Sequence, residues 1–262
     1  MKRWRYVLLV LCTAVISISG TYLMNYFMKS EENKQKYEDI SEIGFPETEA
    51  DHEEENDQQD VKQSEDDFDY QSLIAMNSDC VGWIQIPGTD INYPVVQAAD
   101  NEFYLTHNFN RETAACGAIF MDYRNDVDAK AEHLILYGHQ MKDNSMFKQL
   151  NGYKEEIFYK EHPNIKLYLH EQKYEYEITA VYVTDVANGG GYYNYLHWNT
   201  RKEQLNYLQQ KMAGYQLYDT GKKVMETDEL LSLSTCEYSC DNGRLIVQAR
   251  RKGKTEDGKQ II

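Results

Sequence analysis

The chain has 262 residues and carries 43 Asp and Glu against 27 Lys and Arg, a formal net charge of −16. That acidity belongs to one segment, Glu31 to Asp69, and says little about the partner of the folded part; no nucleic-acid partner is expected. Five cysteines in this length are too few for a scaffold built on disulfides.

Lys2, Arg3 and Arg5 precede an apolar run without charge from Tyr6 to about Met28. About 20 apolar residues cross a bilayer as a helix. The basic flank is expected to stay in the cytoplasm, which puts the rest of the chain outside the cell membrane. A cleavable signal peptide is the rival reading, but its apolar region usually has about 7–15 residues. Residues 1–5 then form a cytoplasmic tail and residues 6–28 a signal anchor.

Between Glu31 and Asp69 lie 17 acidic residues and 3 lysines, a net of −14, so the rest of the chain is near neutral. Such a stretch buries too little apolar surface to offset the entropy of ordering. Residues 29–69 are therefore expected to be a disordered, self-repelling tether. Residues 70–262 have the size of one domain.

Strand-like runs dominate that domain. Val81–Ile86 and Ile91–Gln97 flank the turn signal Pro87-Gly88 and suggest a hairpin. Ala118–Met121, His133–His139, Lys166–His170 and Tyr174–Val183 follow, and then Leu230–Cys236 and Arg244–Arg250. Asp69–Asn77 and Ser145–Leu150 suit short helices. Thr200–Gly214 is the best helix, with Thr200 as cap and Leu205, Leu208, Gln209 and Met212 on one face. Eight strands with few helices point to a mostly-β barrel or sandwich.

Cys236 ends one strand and Arg244 opens the next, across a loop holding Asn242-Gly243, a strong turn signal. A thiol beside a fixed cation is a candidate nucleophile beside a candidate oxyanion stabiliser. The thiol needs a proton-handling partner. Among seven histidines, His139 ends a strand after Gly138, which would let the backbone turn and bring the imidazole to a rim.

The runs Tyr137-Gly138-His139 and Leu233-Ser234-Thr235-Cys236, with Arg244, resemble the catalytic motifs of sortases, closest to class B. Trp83–Thr89, Tyr93–Gln97 and Ile119–Arg124 resemble class B sequences too, as does Glu237 after the cysteine. The resemblance spans about Gln71 to Lys252. It implies an eight-stranded sortase-type β-barrel with a short N-terminal helix and a longer helix between strands six and seven. It implies a cysteine transpeptidase in which Cys236 is the nucleophile, Arg244 holds the oxyanion and His139 moves the proton. Asn101, Leu105, Tyr137, Ser234 and Glu237 match substrate-contact positions of the family. Tyr195 lies in an aromatic loop, Gly189–Trp198, expected to wall the groove.

The implied partners are a surface protein with a C-terminal sorting signal, NPxTN-like or PxTG-like, and an amine of peptidoglycan or its lipid-linked precursor. The membrane is reached through the N-terminal helix. No metal or cofactor is implied. Two alternatives stay open. One is a pilin-joining sortase with a lid, for which Asp67-Phe68-Asp69-Tyr70 is a superficial candidate. The other is an anchored binding barrel with a dead site.

Overall fold

The computed structural model describes residues 2–46, 68–127, 133–185, 200–210, 212–238 and 242–253. The chain divides into two units, Met1–Asp39 and Ile40–Ile262. Helix α1 spans Lys2–Gly44. From Tyr6 it is long and apolar enough to cross a membrane. It does not stop near Met28. Lys29 to Gly44 is helical as well, supported by the i,i+4 pair Glu32–Lys36 at 2.8 Å. Pro46 follows just after its end. So residues 29–44 of the expected tether are helical, and residues 47–67 lie outside the described residues.

The second unit is a closed barrel of eight strands. These are β1 (Cys80–Gln85), β2 (Asn92–Val96), β3 (Ile119–Met121), β4 (His133–Tyr137), β5 (Asn164–Leu169), β6 (Gln172–Asp185), β7 (Leu230–Glu237) and β8 (Gly243–Arg251). Their order around the barrel is β1-β2-β3-β4-β7-β8-β6-β5. Every strand expected from the alternating runs is present, with ends moved by one or two residues. β2–β3 and β4–β7 pair parallel. The remaining neighbours are antiparallel.

Helix α2 (Tyr70–Met76) is the short helix leading into the barrel, capped by Asp69, whose carboxylate accepts from Ser72 N at 3.0 Å. Helix α3 (Glu156–Glu161) follows a 3-10 stretch, Phe147–Lys154. Helix α4 (Arg201–Gln210) lies between β6 and β7, as expected, and continues as a 3-10 turn, Met212–Tyr215. Thr200 Oγ1 accepts from Glu203 N at 3.2 Å, the cap read from the sequence.

Leu205, Leu208 and Met212 pack on Ala180 and Tyr182 of β6, Leu230 of β7 and Ile246 of β8, so α4 covers the outer face of those strands. Gln209, expected on that face, is exposed. Gln204 takes the buried place and donates to His133 Nδ1 at 3.2 Å, while His133 Nε2 meets Ser232 Oγ at 2.8 Å. Burial, then the charge of Arg201, pushes the His133 pKa down to about 3. His133 is thus a neutral core group under α4.

On the far side of the barrel, Phe45 and Phe68 pack together over Trp83 of β1 and Tyr168 of β5 (Phe45–Phe68 centroids 5.2 Å, Phe45–Trp83 5.5 Å, Phe68–Tyr168 4.9 Å). Asp69 N donates to Gly44 O at 2.9 Å. Gly44 and Asp69 therefore meet at one place on the barrel. In barrel order β1 stands four strands from β7 in either direction. Phe68, Asp69 and Tyr70 of the candidate lid are committed to this side, Tyr70 also through its hydroxyl to Cys80 O at 3.1 Å.

β1 and β5 approach so closely that a Cβ on Gly82 would lie 1.9 Å from Tyr168 O. Gly82→Ala is expected to cost about 3 kcal/mol, the upper end of ordinary overpacking. A shift in the urea midpoint of the folded chain measures it.

Candidate active site

Residues paired across neighbouring strands point to the same face of the sheet. On β7, Cys236 is paired with Arg244 of β8, and Arg244 is paired with Thr184 of β6. On the other side, Tyr137 of β4 is paired with Ser234 in parallel register. Two residues on, that register brings His139 beside Cys236. The pairing continues past the strand end: Gly138 N donates to Ser234 O at 3.2 Å and Thr235 Oγ1 donates to Gly138 O at 2.8 Å. Gln140 Nε2 donates to Cys236 O at 3.0 Å. Thr184, Arg244, Cys236 and His139 thus form one row on the outer face, the face that α4 covers further along.

Gly138 does not have a positive φ. Its need is space, since a Cβ there would sit 2.4 Å from Ile119 Cδ1 and 2.7 Å from Phe147 Cδ2. The barrel interior closes against the strand end, and the imidazole is held on the other side.

His139 Nε2 lies 2.7 Å from Leu105 O. A carbonyl only accepts, so Nε2 carries the proton and Nδ1 is the nitrogen left to titrate. Leu105 sits in a 3-10 turn, Phe103–Leu105. Gly117, at φ 59°, backs this turn: a Cβ would lie 2.5 Å from Tyr104 O, 3.0 Å from Leu105 O and 3.1 Å from His139 Cδ2.

A side-chain hydrogen bond joins Cys236 and His139. That bond first, and the Arg244 charge after it, lower the thiol pKa against the opposing effect of burial. The same bond, with the Leu105 carbonyl, raises the His139 pKa while burial and Arg244 oppose it. Both shifts run toward a thiolate–imidazolium pair. Cys80 and Cys116, in contrast, are buried and pushed up to about 11 by burial.

The other sequence-derived positions fall in three groups. Tyr137 and Asn101 meet at Asp122: Tyr137 OH donates to Oδ2 at 2.8 Å and Asn101 Nδ2 donates to it at 3.1 Å. Ser234 is buried in the row beside Tyr137, and the Leu105 side chain is exposed. Glu237, next to Cys236 in β7, points to the opposite face, where its buried carboxylate pairs with the Lys154 ammonium. Tyr195 and its loop, and Cys240, lie outside the described residues. Sequence reasoning missed Asp122, Thr184, Gln140 and Gly117; only Asp122 lay inside a run it had noted. Among the described residues, no group of three or more His, Cys, Asp and Glu could hold a metal ion.

A sortase-domain model matches residues 84–252. The chain belongs to the sortase family. It is 38% identical over 180 residues to sortase B of Listeria monocytogenes, covering 68% of this chain and 72% of that one. It is 30% identical over 261 residues to sortase B of Staphylococcus aureus, covering 95% and 97%. The structure of a Staphylococcus aureus sortase B–substrate complex superposes with a TM-score of 0.69 at 30% identity, over 86% of this chain and 98% of the other. This sortase is therefore of the sortase B type, a cysteine transpeptidase of cell-wall anchoring.

The direction of the thiol shift gives a test. Alkylation of Cys236 by iodoacetamide should set in at lower pH than for an ordinary thiol. His139→Ala, by removing the largest cause, should move that onset upward. Cys80 and Cys116 should stay unmodified at pH 8 in the folded chain.

Proposed function

We propose that Cys236 is the nucleophile of this sortase, His139 its acid–base partner and Arg244 its oxyanion donor. The row that sets an imidazole-bonded thiol between His139 and Arg244 carries this reading. Sγ attacks the carbonyl carbon of a threonine in a sorting signal, and the thiol proton passes to His139 Nδ1. The guanidinium donates to the oxyanion of the tetrahedral intermediate. The C–N bond breaks as His139 protonates the leaving amine, which leaves a thioester on Cys236. An incoming amine attacks that thioester, His139 takes its proton, and the thiolate departs.

Sortase B-type enzymes act on surface proteins with sorting signals and on peptidoglycan precursors. For this chain the finer proposal is an NPxTN-like or PxTG-like signal and an amine of peptidoglycan or its lipid-linked precursor. Asn101, Leu105, Tyr137, Ser234 and Glu237 are the proposed peptide-contact positions, and the Glu237 carboxylate also pairs with Lys154. The apolar helix is proposed as a single-pass anchor with residues 1–5 in the cytoplasm and the barrel outside.

The test uses the full chain in detergent with a panel of sorting-signal peptides and mass spectrometry of the protein. A mass gain on Cys236 equal to the peptide truncated after threonine is expected, and none for Cys236→Ala. Arg244→Ala should lower kcat by roughly 10²–10³, the usual loss for one oxyanion donor. Arg244→Lys should recover little of it, because a lysine lacks the planar fork. Wild-type protein that is folded but forms no adduct and cleaves no peptide would overturn the proposal.

A further inference from the structure

Asp122 directly follows β3, and its side chain is fully buried. Five donors converge on its carboxylate. Oδ1 accepts from the Arg124 backbone N at 3.0 Å and from Arg124 Nε at 2.8 Å. Oδ2 accepts from Arg124 Nη2 at 2.7 Å, Tyr137 OH at 2.8 Å and Asn101 Nδ2 at 3.1 Å. A carboxylate offers about four lone-pair sites, so this one is saturated. The Arg124 fork supplies the charge that makes its burial tolerable.

The backbone here is fixed as firmly. Asp122 N donates to Ile135 O at 2.9 Å, and Asp122 O accepts from Gln97 Nε2 at 2.8 Å and from Asn125 N at 2.9 Å. The carboxylate is thus a stationary point to which two groove residues from separate segments are tied. Tyr137 ends β4, two residues before His139. Asn101 precedes the 3-10 turn whose carbonyl orients His139, and its own Oδ1 accepts from Tyr123 N at 3.0 Å.

We propose that Asp122 is a positioning residue for substrate binding, which fixes Tyr137 and Asn101 in one arrangement on the groove floor. It acts through those two side chains rather than on the reacting atoms. The proposal rests on the transpeptidase reading above. Its mark is a separation of effects. Peptide binding depends on Asp122, whereas the reactivity of Cys236, set by His139 and Arg244, does not.

The experiment compares wild type and Asp122→Asn as full chains, with a sorting-signal peptide that the wild type cleaves. The amide keeps the shape but puts an NH2 where donors converge. KM should rise about tenfold or more, the loss of one charge-assisted hydrogen bond. The rate and pH dependence of Cys236 alkylation should stay within about twofold of wild type. Asp122→Asn combined with Tyr137→Phe should be no worse than the weaker-binding single variant, since both break one unit. If Asp122→Asn does not fold, Asp122→Asn with Arg124→Gln removes both charges of the pair together, and the same KM rise is expected. An unchanged KM in a folded variant, additive losses in the double variant, or alkylation falling in step with KM would each overturn the proposal. A wild type that cleaves no peptide fails the transpeptidase reading and takes this proposal with it. A wild type that cleaves beside an unaffected variant sinks Asp122 alone.

Discussion

The site depends on the parallel pairing of β4 with β7. Their register, Tyr137 on Ser234, leaves one place for the residue two beyond Tyr137, and that place is beside Cys236. Antiparallel pairing of β7 with β8 then puts Arg244 on the other side of the thiol. Neither neighbour is chosen by a loop. Both follow from backbone ladders whose slippage by one residue would turn every side chain to the wrong face. The row is therefore as rigid as the barrel wall, which suits a reaction that needs donors aimed before charge develops.

Around that row the supports divide into two kinds. Space is controlled by absent side chains: Gly138 lets the core close under the strand end, and Gly117 lets the Leu105 carbonyl reach His139. Charge is controlled by buried pairs. The Glu237–Lys154 pair lies on the face opposite Cys236, and the Asp122–Arg124 pair receives the Tyr137 hydroxyl. Breaking either pair would leave a buried charge uncompensated, the costly case for such bridges. The thiol itself is tuned by its two neighbours in the row, so the support around it can be firm without altering its titration.

Most of the barrel was legible because its strands alternate and end at clear turn signals. Cys236 and Arg244 were legible because a hairpin with a marked turn fixes what stands opposite what. The placement of Glu237 was also available in the sequence: side chains alternate along a strand, so a residue adjacent to Cys236 had to face away. Gln209 continues the apolar spacing of α4 yet is exposed, whereas Gln204 is buried because His133 beneath the helix partners its amide, which no local pattern shows. Asp122 carried no local signal for its role. It is one aspartate after a three-residue strand, and the two groove residues among its donors come from positions 21 and 15 residues away that only the fold brings together. The length of α1 was missed for another reason. Charge density argued for disorder, while the spacing of Glu32 and Lys36 favoured a helix.

Gly44 and Asp69 meet through a backbone hydrogen bond, and Phe45 and Phe68 cover that junction. Closing a loop costs only about 0.6 kcal/mol more for each doubling of its length. Residues can thus be gained, lost or exchanged between those two ends with little effect on the barrel, provided the two phenylalanines remain to cover Trp83 and Tyr168. The barrel's hold on this junction lies in the two phenylalanines and the Gly44–Asp69 bond, not in the length of chain that joins them.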